Sequence, residues 1–285
     1  LPIWFQKETQ LLTIDEQNKF VNNFYKEPDI HIVFKDKEKL KDFEEGLIKT
    51  SDLSGFLLNK KNIKDKKSFV KGNWWVQDLS SFIPLNNFEF KNRNKKFLDA
   101  CAAPGGKSFQ LLSRGHNIVL NDKNRYRIQV LKSNLDRLKL KANILNTDFT
   151  EFNSREKYDV IILDAPCSAI GTIRKNPEIL FKNKGPNFSE LISLQEKMLI
   201  KASTLLNKGG FIIYMTCSFL KIETVDQINK FLNDNNDFRL SNFRSIKNNI
   251  NYSKLVKSNC MLTLPDMFLN YTIDGYFSAN LEKIK

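Results

Sequence analysis

The chain has 285 residues, with 45 Lys and Arg against 32 Asp and Glu, a formal charge of +13 at pH 7 and a pI near 9.4. At ~150 residues per domain this length allows one large domain or one with a smaller neighbour, and no apolar stretch approaches the ~18 residues of a membrane-spanning helix, so a soluble protein is expected. Four cysteines far apart in sequence, with no CxxC pair and only His31 and His116 beside them, argue against structural zinc and secretory disulfides, so no metal is expected.

No export signal opens the chain, so the cytoplasm is the expected compartment and a monomer the expected state. The cationic excess fits a polyanionic partner, or a Lys- and Asn-rich composition that has drifted basic for solubility; position along the chain must separate the two. LPIW, opening on Leu1 without an initiating Met, is the start expected of a piece trimmed from a longer chain. DEQNKFVNNFYK reads as a helix and IHIVFK alternates as a strand does, while DKEKLKDFEEGLIK spaces Leu40, Phe43, Leu47 and Ile48 as a helix does. A small α+β domain is therefore expected over residues 1–70. NKKNIKDKK, at 59–67, reads first as a charged surface loop and second as a phosphate-facing strip.

Over 71–285 short apolar runs alternate with amphipathic helical stretches, the pattern of βαβ units and a largely parallel sheet. KKFLDAC, NIVLND, NILNTD, DVIILDAP and GFIIYMTC are the expected parallel strands, with DGYFSANLEK as a last strand and DFRLSNF as a further candidate. RYRIQVLKSNLDRLKL sets Ile128, Leu131, Leu135 and Leu138 on one helical face, and SFQLLSRG and SELISLQEKMLIKASTLL are the other helices. The fold class is α/β.

Ligands in doubly wound sheets lie outside the carboxyl ends of the strands. Those ends read Asp99-Ala-Cys-Ala-Ala-Pro-Gly-Gly-Lys107, Asn121-Asp122, Thr147-Asp148, Asp164-Ala-Pro-Cys167 and Thr216-Cys217-Ser218. AAPGGK is neither GxGxxG nor GxxxxGK[ST], which disfavours a nicotinamide or P-loop site, but its glycines let backbone N–H groups approach a ligand. Asp122 ends the next strand, where an acid accepts from ribose hydroxyls, and Asp148 is placed to accept from an adenine amine. Each acid alone reads equally as a cap or turn residue. Together they point to a nucleoside cofactor without phosphates to neutralise. Cys101 and Cys260 read as small buried hydrophobes, although backbone near Cys101 is a candidate cofactor contact. Cys167 and Cys217 emerge at the same crevice edge, and a thiolate there is a nucleophile if charge from Lys107, Arg174 or Lys175 lowers its pKa.

LDACAAPGGKS, VIILDAPCSAIGTIRKNPEI and YMTCSFLKIE resemble the signature motifs of RNA cytosine-5 methyltransferases that use S-adenosylmethionine, in the bacterial ribosomal-RNA Sun/RsmB-like branch. The likeness runs from LPIW through WWVQDLSS to DGYFSANL. It implies a Rossmann-like methyltransferase domain over 71–285 with seven strands, the last antiparallel, preceded by a small RNA-binding α+β unit over 1–70. It places the methionine part of the cofactor on Cys101, Ala102, Ala103, Pro104, Gly105, Gly106 and Lys107, the ribose on Asp122 and the adenine side on Asp148. Asp164 then lies beside the reacting base and the cofactor, Cys217 is the nucleophile, and Cys167 is the second cysteine.

Two thiols suit this chemistry because carbon 5 of cytosine is a weak nucleophile. A thiolate adding to carbon 6 moves electron density onto carbon 5, and a second weak base serves the later loss of the carbon 5 proton. Asp164 stabilises the electron-rich ring by hydrogen bonding. By analogy with DNA cytosine-5 methyltransferases, Pro166-Cys167 would attack instead, so the two assignments compete. The target base must be single-stranded, looped or flipped out. Arg174 and Lys175 are candidate contacts to its phosphate backbone, and one of Trp74 and Trp75 is a candidate stacking surface. The expected substrate is small-subunit (16S) rRNA, with transfer RNA as the nearest alternative and a non-catalytic assembly factor or a DNA methyltransferase as others. The chain departs from the family pattern at Ala169 for Gly, Thr224 for Asn and Asp266 for His, and the helical NusB-like domain that often opens ribosomal members is not expected among these residues.

Overall fold

Short runs of alternating side chains build the first sheet. The computed structural model describes residues 2–9, 12–16, 18, 22, 26–43, 46–88, 95–181, 185–242, 256, 257, 259–265, 267, 268 and 270–285. In it β1 (His31–Phe34), β2 (Leu47–Ser51), β3 (Ser54–Leu57) and β4 (Trp74–Val76) form an antiparallel sheet in the order β2-β3-β1-β4. The helix expected through 36–49 is corrected. It spans only Lys37–Lys41, capped by the Asp36 carboxylate accepting from Lys39 N at 2.8 Å, and Gly46 at φ +80° leads the chain into β2. Leu47 and Ile48 are therefore strand residues, because four apolar positions fit a long helix and a helix-plus-strand equally well. The helix expected in DEQNKFVNNFYK lies mostly outside the described residues.

Trp74 and Trp75 face opposite sides of β4, as alternation requires. Trp74 packs with Ile32, Phe34, Leu40 and Leu57, while Trp75 meets the Phe109 ring at 5.7 Å between centroids. Both are buried, so the expected stacking surface for a base is corrected: neither indole is open to one.

The second sheet contains β5 (Phe97–Asp99), β6 (Ile118–Asn121), β7 (Asn143–Leu145), β8 (Tyr158–Asp164), β9 (Leu206–Thr216), β10 (Phe238–Ser241), β11 (Val256–Lys257) and β12 (Cys260–Thr263). A separate ribbon, β13 (Met267–Phe268) with β14 (Tyr271–Thr272), precedes its last strand, β15 (Tyr276–Lys283). Every pair along β7-β6-β5-β8-β9 is parallel, and β15 joins β9 antiparallel. β10 pairs antiparallel with the end of β15 and so runs with the parallel set, completing the expected seven-stranded core. β12 and β11 extend the same edge beside the start of β15.

The parallel strands are buried on both faces, which is why they read as unbroken apolar runs. Val160 and Ile162 pack on one face with Phe109, Leu131 and Leu135, whereas Ile161 and Leu163 pack on the other with Met198, Leu199 and Ala202. Full burial of each such side chain contributes ~1.5–3 kcal/mol. The helix Arg125–Leu138 buries the four residues its spacing selects, starts where the Asn124 side chain accepts from Arg127 N at 3.0 Å, and ends at Lys139 with φ +53°. Val33, Phe56 and Trp75 of the first sheet join the same core, so the two sheets share apolar packing. No described helix is long and apolar enough to cross a membrane.

Candidate active site

β5 ends on Asp99, β6 on Asn121, β8 on Asp164 and β9 on Thr216, all along one edge of the parallel sheet. A cavity of about 320 Å³ lies there, within the ~300–1,000 Å³ of small-ligand sites. Its walls bring together Cys101, Asp122, Asp148, Asp164, Cys167 and Cys217. Topology gathers these residues; their spacing in sequence does not.

One end of the cavity carries acids. Asp122 accepts from Ala103 N at 3.1 Å and Asn124 N at 2.8 Å, with the Arg127 guanidinium 3.7 Å away. A carboxylate has about four acceptor positions, so two remain for a ligand. Asp148 accepts from the backbone N–H and the hydroxyl of Thr150, which hold its carboxyl below the ordinary range, and lies 3.7 Å from the Lys123 ammonium. Phe149 and Met198 add apolar wall.

The other end carries the thiols. Cys167 Sγ and Cys217 Sγ are 3.3 Å apart. The hydrogen bond to Cys217 and then burial push the Cys167 thiol well above its usual pKa, so Cys167 keeps its proton. Asp164 accepts from Lys107 Nζ at 2.7 Å through one oxygen and from the Tyr276 hydroxyl at 3.0 Å through the other. Burial opposes the charge on Lys107 most strongly, but the charge and hydrogen bond of Asp164 together with Asp99 outweigh it and raise the ammonium pKa. Burial and the Asp164 charge push the Tyr276 hydroxyl up as well. Beneath them Asp99 is driven to about 7 by burial, even though its carboxyl accepts from Ser108 Oγ at 2.5 Å. Burial and Asp99 likewise push the Cys101 thiol up, which suits a packing residue better than a nucleophile.

Several expectations change. The N–H groups of Ala102 and Ala103 do not point at a ligand, because Asn121 O and Asp122 take them. Of the segment expected on the cofactor, Cys101 walls the cavity, Ala102, Ala103, Pro104, Gly105 and Gly106 follow it, and Lys107 pairs with Asp164. Gly105 is required where it stands, since φ is +117° and a Cβ would come within 2.0 Å of the Phe109 ring. Of the two candidates for a phosphate backbone, Arg174 is buried, whereas Lys175 stays exposed while pairing with acids. The Arg174 side chain is 1% exposed and faces Asp274 at 3.9 Å, while Lys175 Nζ sits 2.6 Å from Asp78 and 2.7 Å from Asp274. Asp78 and Asp274 lie far from this loop in sequence, so the pairing was hidden. Ala169, at the departure from Gly, adopts φ +57°, a left-handed conformation that favours glycine. At the other described departure, the Thr224 hydroxyl donates to Leu220 O at 2.8 Å. Tyr276 went unrecognised as part of the site because it read only as the start of a closing strand.

A doubly wound seven-stranded core with one antiparallel strand and a strand-end cavity of this kind defines a Rossmann-like methyltransferase fold. Three solved structures share the arrangement over 98% of this chain. PH0851 has a TM-score of 0.83 at 25% identity and is covered over 65% of its length. NSun6 from Pyrococcus horikoshii, solved with SFG, scores 0.76 at 18% identity and is covered over 97%. A methyltransferase homolog from the same organism scores 0.75 at 22% identity and is covered over 94%. The sequence model of the 16S rRNA methyltransferase RsmB/F family matches residues 88–282, and the chain belongs to that family. Ribosomal RNA small subunit methyltransferase B of Shewanella oneidensis is 43% identical over 152 residues, 52% of this chain and 36% of its own length. The protein of the same name from Pasteurella multocida is 33% identical over 240 residues, 80% of this chain and 51% of its own length. The chain thus spans between about a third and a half of these relatives.

Proposed function

We propose that this chain carries the methyltransferase part of an enzyme that uses S-adenosylmethionine to methylate carbon 5 of a cytosine in small-subunit rRNA. The observation that carries this reading is the pair of thiols 3.3 Å apart beside Asp164 in the strand-end cavity. Family membership supports it, as do relatives named for small-subunit rRNA and a structural neighbour solved with SFG, a cofactor analogue. In this reading residues 1–70 form a small RNA-binding unit, whose sheet borrows Trp74–Val76 from the methyltransferase unit over 71–285, and the protein works as a cytoplasmic monomer.

The cavity fits the cofactor. Asp122 and Asp148 offer acceptors to a nucleoside, Arg127 and Lys123 offset their charges, and the apolar wall suits a flat ring. Bound there, S-adenosylmethionine supplies an electrophilic methyl group. Cys217 adds to carbon 6 through its sulfur, and the ring double-bond electrons move towards carbon 5. Asp164, with acceptor positions left over from Lys107 and Tyr276, accepts from the cytosine amine, and the Lys107 ammonium lies where ring charge accumulates. While Cys217 is an anion, its charge and hydrogen bond keep Cys167 protonated. Once Cys217 becomes an uncharged thioether, the largest cause of that high pKa is gone. Cys167 can then lose its proton to water, take the proton from carbon 5, and leave the ring electrons to expel Cys217.

The test mixes cofactor and RNA with Cys167→Ala and, separately, with Cys217→Ala, and looks for a protein–RNA adduct that survives denaturation. The adduct is expected with Cys167→Ala alone. An adduct only with Cys217→Ala reverses the roles, and no adduct on an RNA that the wild type methylates removes the two-thiol mechanism. Parallel reactions with 16S rRNA and transfer RNA separate those substrates, and binding without methyl transfer by the wild type would leave an assembly factor.

A further inference from the structure

Two loops that end separate strands have to hold their sulfur atoms in one geometry. The strand ladder does not fix this, because Cys167 lies beyond the end of β8 and Cys217 beyond the end of β9. The residue after each cysteine reaches the same buried carboxyl group. Glu223 Oε1 accepts from Ser168 N at 2.7 Å, and Glu223 Oε2 accepts from Ser168 Oγ at 2.6 Å and Ser218 Oγ at 2.7 Å. Glu223 is fully buried, where such a group persists only if its oxygens are satisfied, and Gln195 Nε2 at 3.4 Å adds a fourth donor. Gln195 also donates to Pro166 O at 2.9 Å, so the peptide before Cys167 and the residue after it are both held.

We infer that Glu223 is a positioning residue that sets the spacing and orientation of the two thiols by clamping Ser168 to Ser218. The inference rests on the cytosine-methylation reading for its catalytic consequence, but the clamp itself is a matter of geometry. Other contacts tie the same loops without engaging the serines. Gly171 N donates to Cys217 O at 3.0 Å, and Gly171 O accepts from Gly275 N at 2.9 Å. These bonds hold the loops together when Glu223 is changed, so loss of the clamp should misplace the sulfurs without dismantling the site.

The experiment compares wild type, Glu223→Ala, Glu223→Gln and Ser218→Ala in single-turnover methylation of 16S rRNA, reading the rate constant rather than the yield. Glu223→Ala is expected to lower the rate constant ~100-fold, the scale of a 1 Å misplacement, with cofactor affinity unchanged. Glu223→Gln should recover most of the loss, since its carbonyl keeps the Ser168 N bond and the serine hydroxyls can reverse to accept from its amide. A Glu223 that only supports the fold would reduce the active fraction and leave the rate constant at the wild-type value, which would overturn the inference. If Glu223→Ala does not fold, Ser218→Ala, which removes one bond, decides in its place: a smaller fall is expected, and an unchanged rate constant overturns the inference. Phenylarsine oxide, which condenses with two neighbouring thiols and releases water, reads the geometry without RNA. Its affinity should fall about tenfold in Glu223→Ala, as for a chelate whose donors are misaligned. Equal affinity in the two proteins overturns the clamp. Tight wild-type binding that weakens in the variant, with no methylation of any RNA, upholds the clamp and removes the cytosine reading instead.

Discussion

The two ends of the cavity use opposite electrostatics. At the thiol end the Lys107–Asp164 pair is 2.7 Å long, with side chains 16% and 28% exposed. At the acid end Lys123–Asp148 is 3.7 Å long, with side chains 60% and 37% exposed, and Arg127 reaches Asp122 only at 3.7 Å. Attraction between charges grows as water is removed, and so does the cost of leaving one unpaired. The thiol end is therefore built to hold charges in fixed places during a reaction. On the proposed reading the acid end holds the cofactor, its cations Lys123 and Arg127 exposed although the Asp122 carboxylate beside them is only 3% exposed.

The comparison breaks most readily at Asp164. Asp164→Asn keeps the shape but leaves the buried Lys107 ammonium without its anion and weakens the acceptor facing the cytosine. Methyl transfer should fall ~10²–10³-fold, as when one preorganised group is removed from a site of developing charge. The loss should appear in kcat, with cofactor affinity little changed, because Asp122 and Asp148 are untouched. Lys107→Met alone should cost a similar factor, and the double variant far less than the product of the two, since the residues act as a pair. A loss confined to cofactor affinity would mean that Asp164 belongs functionally to the acid end.

How much of this contrast could be read from sequence depends on where each partner lies along the chain. The parallel strands were legible because burial on both faces leaves unbroken apolar runs, as in VIIL of β8. Strand ends then located Asp122, Asp148, Asp164 and both thiols. Partners brought from distant segments were not legible. The family resemblance places Lys107 on the methionine part of the cofactor, and nothing local shows that it also reaches Asp164. Arg174 reads as an exposed cation because Asp274, which it faces in the interior, belongs to another element, and the Asp78 and Asp274 partners of the exposed Lys175 are equally remote in sequence. Leu47 and Ile48 were misplaced for a different reason: the window was too short to separate two periods.

Titration sharpens the comparison, because the two ends give opposite signs. Asp99, beneath the thiol end, has its pKa raised by burial from 3.8 to about 7, so in that window the folded protein holds a proton that the unfolded chain has released. Its contribution to stability is complete below 3.8 and is lost as pH rises towards about 7. Asp148, with a lowered pKa, contributes in the reverse sense: its stabilisation is present above 3.8 and is lost as pH falls through its folded value. Urea unfolding across the window should show Asp99→Asn removing a slope that approaches one proton, ~1.4 kcal/mol per pH unit. Asp274, also raised to about 7 by burial, adds a slope of the same sign in both proteins, so the difference between wild type and Asp99→Asn is the quantity to read. An identical slope would mean that Asp99 is no more protonated in the fold than in the unfolded chain.

The smallest effect belongs to the acid end. Lys123 and Asp148 stand 3.7 Å apart with the lysine exposed and the aspartate partly so, where such pairs contribute ~0–1 kcal/mol. Lys123→Ala should therefore leave thermal stability almost unchanged. It should also leave the single-turnover rate constant at saturating cofactor unchanged, because no group at the thiol end touches Lys123. Any effect should be confined to cofactor affinity, a few-fold at most, and should shrink as salt is added, since screening acts on exposed charges before buried ones. The same salt titration applied to Lys107→Met should show no such convergence with wild type, because the 2.7 Å pair it breaks is shielded from bulk ions. Convergence of both variants at high salt would erase the distinction between the two ends, whereas convergence of Lys123→Ala alone would locate the boundary between binding and chemistry inside a single cavity.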